Sequence, residues 1–276
     1  MLEQLRLRLI EQRPYAAFFI GIAYVFIAFF TSKIFFPKII SVATLFLVTL
    51  LLVPTIIKLL GDEERRERRD GTSNFFRDHK DIFEVYIFLF LGIFAGALIL
   101  TMFTSLSNFE YQADFLKNSE RLSSEVVKEK LATGITPSLN AFLGLLENNL
   151  LVILICFFLS LFYGAGAMFL IVLNASIFAT FVAFVMRELP TITNKAALLG
   201  IFSIHMIPEL FGFLLAAIAG GVISKAIMRE KFFSEKFHNV MKDSFFLFII
   251  AAGVIVLAAF LETYVTTALF NIFLAS

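Results

Sequence analysis

His205 and Glu209 stand four apart in the run Phe202-Ser203-Ile204-His205-Met206-Ile207-Pro208-Glu209-Leu210. On a helix that spacing puts both on one face, where imidazole and carboxylate can relay a proton, hold a cation or neutralise each other. Ionisable side chains in apolar spans are costly and by default point to function. The same face continues as Gly212, Ala216 and Gly220, small residues that let another helix approach closely. Pro208 frees the carbonyl of Ile204 and should bend the helix between the histidine and the glutamate. Further polar residues are expected at the same depth: Glu147, Asn148 and Asn149 at the mouth of one span and Glu262 at the end of another, with Asn174 mid-way along a third. Together these seven residues form a candidate polar intramembrane cluster. Three roles are open to it: mutual bonds that pin helix register, a substrate, ion or proton site, or an interface for partner membrane helices.

The elements that must position these residues are membrane spans. The chain has 276 residues, 59% of them hydrophobic and 16% charged, and a mean hydropathy of +0.89. Soluble domains carry far more charge, so a soluble enzyme is excluded. Thirty-seven Phe and no Trp place the aromatic mass in apolar space. A bilayer core takes about 20 residues of helix, and that ruler predicts spans over 14–31, 36–60, 82–103, 149–162, 166–186, 196–224 and 244–261. The apolar stretch from Leu150 to Met186 would be about 55 Å as one helix, so it must break at Tyr163-Gly164-Ala165-Gly166, where glycine allows a tight reversal. Gly92 and Gly96, and Ala175, Ala179 and Ala183, are further stripes for close helix packing.

Orientation follows from the basic residues in the connections. Fifteen of the 23 Lys and Arg fall on the side of the N-terminus, Lys58 with the 61–81 connection, and the 225–242 connection; eight fall on the other. This predicts a cytoplasmic N-terminus and an external C-terminus. Tyr15, Tyr86 and Tyr163 at one level and Tyr264 at the other read as interfacial anchors. The first apolar run lacks a cleavable signal pattern and reads as a retained span.

Two connections have character of their own. Residues 61–70 mix signs almost one for one, as in a solvated helical extension with Glu–Arg pairs; docking to a cytoplasmic partner is the sharper reading. In the external connection 104–146, Phe115, Leu122, Val126 and Leu131 recur among charges at near-helical spacing. That predicts an amphipathic helix lying on the outer surface or capping the bundle.

Enzyme motifs fail physically. Glu63-Glu64 with Arg68 matches the E-E-x-x-x-R string of intramembrane proteases that cut prenylated proteins. A general base, however, must lie beside its histidines, and this one sits in a cytoplasmic charge run. One intramembrane His and scattered carboxylates do not make a zinc set. Cys156 is the lone cysteine, so neither a disulfide nor a thiolate metal site is available. There is no phosphate-binding loop and no nucleic-acid pattern. No cofactor and no metal are implied.

The order of short motifs resembles the stage II sporulation protein M family. Glu147-Asn148-Asn149 opens a span, followed by Tyr163-Gly164-Ala165-Gly166, Leu173-Asn174-Ala175, His205-Met206-Ile207-Pro208-Glu209 with Gly220-Gly221, and Ala258-Ala259-Phe260-Leu261-Glu262-Thr263. The resemblance covers roughly residues 82–270. This chain departs from the family's Asn-Gly at Asn174-Ala175 and from its His-Gly at His205-Met206. The resemblance implies a scaffold that holds other proteins, cell-wall hydrolases in sporulating bacteria, at the membrane. It also implies His205, Glu209, Asn174, Asn149 and Glu262 as the positions of interest.

The expectation is an all-α polytopic transmembrane helical bundle of about seven spans in the cell membrane. Residues 1–60 form a two-helix hairpin, 61–81 a charged cytoplasmic linker, and 82–276 a five-span core with the external segment 104–146. The leading function is a non-enzymatic membrane scaffold or assembly component, with lipid, other membrane proteins and a second copy of itself as partners. Gly92, Gly96, Gly164, Gly166, Gly212, Ala216 and Gly220 are its packing positions. The alternative is a transporter or channel-like protein that uses the His/Glu cluster for a cation or proton.

Overall fold

In a bilayer every backbone N–H and C=O must find its partner within the protein, which leaves helices as the way for apolar segments like these to cross. The computed structural model describes residues 13–70, 80–118, 136–163, 166–188, 195–231 and 234–275, and among them there is no strand. Seven helices are long and apolar enough to cross a membrane. In chain order they are α1 (Ala16–Phe35), α2 (Ile40–Asp70), α3 (Lys80–Phe103), α5 (Leu139–Tyr163), α6 (Met168–Glu188), α7 (Lys195–Arg229) and α8 (Glu235–Phe260). A 3-10 turn (Leu106–Phe109) and the short α4 (Glu110–Asn118) lie between α3 and α5. α8 continues through a π-helical turn (Leu261–Thr266) into α9 (Thr267–Ala275).

α1 and α6 flank α3, while α5 and α8 flank α7, and α2 touches both groups. α7 is the axis: 78% of its apolar window is buried within the protein, against 17% for α5, which faces outward. One end of the bundle, here the upper end, carries Phe103, Arg187 and Lys195; the lower end carries Gly61 and Arg229. Arg187 Nη1 donates to the carbonyls of Thr101 (3.0 Å) and Thr104 (3.2 Å), and Lys195 Nζ donates to Met186 O (2.6 Å). These cations satisfy carbonyls at helix C-termini, where the orphan acceptors and the negative dipole end both favour them.

Several helix bounds differ from the hydropathy reading, and two of the starts have a plain local reason. The fourth span starts at Leu139, not Asn149, because Ser138 caps it, its Oγ accepting from Ala141 N (3.1 Å) as N-cap serines do. The seventh starts at Glu235, capped in the same way by Ser234 Oγ from Phe237 N (3.2 Å), and runs past Leu261 through the π turn. The sixth is helical on both sides of Pro208, as the span reading requires, and runs on past Ser224 to Arg229. Tyr86, expected at an interface, is 2% exposed and part of the core.

α2 carries its helix past Gly61 through the charge run to Asp70. Of the expected external amphipathic helix, 119–135 lies outside the described residues. The part described caps the upper end and is drawn inward. Phe109 is buried and stacks on Phe29 of α1 at 5.9 Å, Gln112 Nε2 donates to Ser176 Oγ on α6 (2.8 Å), and Tyr111 N donates to Ser41 Oγ (3.4 Å).

Glycines allow the closest approaches. Gly21 and Gly92 bring α1 and α3 into backbone contact: a Cβ on Gly21 would lie 2.9 Å from Leu89 O, and one on Gly92 would strike Phe18 O. Gly96 sits against Ile22 and Val25 of α1. At the reversal between α5 and α6, Gly164 is outside the described residues. Gly166 has no left-handed backbone; it is needed because a Cβ there would strike Leu159 O.

Candidate functional site

α7 presents His205, Glu209, Gly212, Ala216 and Gly220 along one stripe, as the four-residue spacing requires. All five are buried. A Cβ on Gly220 would strike Phe157 O of α5, and one on Gly212 would lie 2.7 Å from Ile255 Cδ1 of α8. The stripe therefore faces the groove between α5 and α8, and these contacts carry its polar upper half against the same two helices.

Glu209, 8% exposed, accepts from Asn149 Nδ2 of α5 at 2.6 Å. Asn149 is 3% exposed, and its Oδ1 accepts from the neighbouring Asn148 Nδ2 at 3.3 Å. The half-exposed pair thus orients a fully buried one: with Oδ1 engaged by Asn148, the Asn149 amide turns its N–H₂ toward the carboxylate. A short bond to a carboxylate oxygen in surroundings this apolar is among the stronger hydrogen bonds available between helices.

His205 reaches a different helix. Its Nδ1 lies 3.1 Å from Thr266 Oγ1, in the π turn that follows α8. Phe202 meets the imidazole edge-on at 6.1 Å and also contacts Phe181 and Phe270, so the histidine sits at the margin of an aromatic cluster. Histidine and glutamate share a face of α7, yet one clamps the end of α8 and the other clamps α5.

Glu262 stands in the same π turn as Thr266, and its Oε2 is sealed from solvent. The turn is wider than an α-helix, and Thr267 Oγ1 fills it by donating to Glu262 O five residues back (3.2 Å). Such π turns occur preferentially at functional positions. Tyr264 of the turn packs against Phe142 in the upper extension of α5 at 6.4 Å, so α5 and the π turn also meet each other.

Two members of the expected cluster point elsewhere. Asn174 Nδ2 donates to Leu170 O of its own helix (2.9 Å), and Glu147 is exposed. Thr266, Gln112 and Ser176 were missed by sequence reasoning. A threonine in an apolar run commonly bonds its own helix, so Thr266 carried no signal; Gln112 lay in a segment read as surface. Among the described residues, no group of three His, Cys, Asp or Glu is placed to hold a metal ion.

The family model for stage II sporulation protein M matches residues 85–267, two thirds of the chain, and that stretch contains Asn149, His205, Glu209, Glu262 and Thr266. The chain belongs to this family. No curated protein and no solved structure matches it. Within this member of the stage II sporulation protein M family, the first two spans lie outside the matched region. They nonetheless pack against it through the Gly21–Gly92 contact.

Proposed function

We propose that this family member is a non-enzymatic membrane scaffold of the cell membrane, with its N-terminus cytoplasmic, its upper end outside, and other membrane proteins as its partners. One observation carries the reading: the buried polar groups of the site bond from helix to helix. Asn149 with Glu209 and His205 with Thr266 tie α5, α7 and the end of α8 together, as a frame of fixed shape would require. The stripe below them closes on backbone at Gly220, which leaves that seam no width for a solute.

One feature favours transport instead, with a cation or proton as cargo: His205, Glu209 and Thr266 of the π turn are buried in one half of the bundle. The two readings separate in proteoliposomes. A scaffold shows no proton or cation flux above empty vesicles, and Glu209→Gln alters only stability. Cross-linked purification from native membranes then returns partners in fixed ratio to the chain. Flux that Glu209→Gln abolishes in a folded protein overturns the scaffold.

A further inference from the structure

The lower end holds a charge that the upper site does not use. Lys225, on α7, is 9% exposed, and among the described residues it is the only buried lysine or arginine. Arg229, one turn further along the same face, is the only described charge acting on it, and that interaction is repulsive. The lysine stem is buried while its ammonium keeps a path to the surface, and a like charge four residues away is unfavourable unless an anion lies between them.

Arg229 is itself held in place. Its Nη1 donates to Gly61 O of α2 (3.1 Å), and a Cβ on Gly61 would lie 3.1 Å from Nη2. Glycine gives the guanidinium its closest seat on the α2 backbone; a methyl there would push it back by a few tenths of an ångström. This contact puts the Arg229 guanidinium level with Gly61, and Thr55 lies about 9 Å further up α2 at about 1.5 Å per residue. Thr55 Oγ1 is buried and makes no hydrogen bond among the described residues. Ile227 and Met228, beside the two cations, are 40% and 76% exposed, an apolar border suited to acyl chains. Asp243 is buried on α8, but it is not among the charges acting on Lys225.

We infer that Lys225 and Arg229 hold the phosphate of an anionic phospholipid headgroup at the seam between α2 and α7. A phosphate oxygen is the acceptor that a lysine and a fixed guanidinium can share, and basic recesses between spans are where such headgroups bind. The site is independent of the scaffold reading, since it uses neither the upper cluster nor a partner protein.

The test is native mass spectrometry of the full chain in detergent, titrated with phosphatidylglycerol. Lys225→Gln is expected to weaken retention about fivefold, the equivalent of one near-surface cation. The exposed Lys236→Gln should leave it unchanged, phosphatidylcholine should not be retained, and inorganic phosphate should not displace the lipid. Equal retention by Lys225→Gln overturns the site. So does an equal loss in Lys236→Gln, which marks diffuse surface attraction, or displacement by inorganic phosphate, which marks a free-anion site. Asp62, Glu63 and Glu64 follow Gly61 in sequence; if Lys225→Gln weakens retention only while these three are charged, and not once they are neutralised, the cation is serving that run and the site is overturned. Should Lys225→Gln fail to fold, Lys225→Arg should retain lipid and Arg229→Gln should lose it, and the reverse pattern refutes the assignment.

Discussion

Replacing Asn149 by leucine removes from Glu209, whose carboxyl group is 8% exposed, the donor that α5 supplies at 2.6 Å. Interhelical hydrogen bonds in membrane proteins contribute about 0.6 kcal/mol on average and up to about 1.7. A buried acceptor that loses one of its donors adds about 1–3 kcal/mol. Asn149→Leu is therefore expected to lower stability by about 2–3 kcal/mol. Glu209→Gln keeps an acceptor oxygen and should lose less than about 1 kcal/mol on the same reckoning. Glu209→Leu removes the group that needs satisfying, and the amide of Asn149 remains engaged by Asn148. The Asn149→Leu/Glu209→Leu double variant should then be little worse than Glu209→Leu alone, with a coupling of about 1–2 kcal/mol. The chain has no tryptophan, so reversible denaturant unfolding in micelles is best followed by far-ultraviolet circular dichroism. Additive single variants, with coupling below about 0.5 kcal/mol, would falsify the clamp: the contact would then be incidental and the polar stripe would need another purpose.

Glycine substitutions separate close packing from helix propensity. Gly220→Ala should cost more than about 2 kcal/mol, because its Cβ meets the Phe157 backbone rather than a movable side chain. Gly253→Ala, with nothing within 4 Å of the added methyl, should be neutral or stabilising by up to about 1 kcal/mol; thermal unfolding in detergent reads both, and equal effects would refute the seam. Arg187→Gln should free the carbonyls of Thr101 and Thr104 and speed amide exchange over the end of α3 and the 3-10 turn, without change at the lower end of α7. Thr266→Val should destabilise in the wild-type background and have little further effect in His205→Phe, since both remove one bond; additive losses would place the histidine's principal partner elsewhere.

Seven spans were legible in the sequence because lipid imposes a length and an apolar content that composition alone reveals. The bounds of α3 at Phe103 and the break after Tyr163 were read correctly on that basis. Helix ends set by single serine caps were not, since Ser138 and Ser234 have no hydropathy signal. Spacing put His205 and Glu209 on one face with Gly212 and Gly220, which is a property of the helix itself. Which neighbour each residue meets was decided by tertiary packing: α5 brings Asn149 to Glu209, and a π turn swings Thr266 to His205. Asn174, equally polar and equally apolar in its setting, bonds back to Leu170. An amide in a span must find an acceptor, but the sequence does not say whether its own backbone or another helix will provide it. The period of a helix is local, whereas the identity of a partner depends on how seven helices share one cross-section.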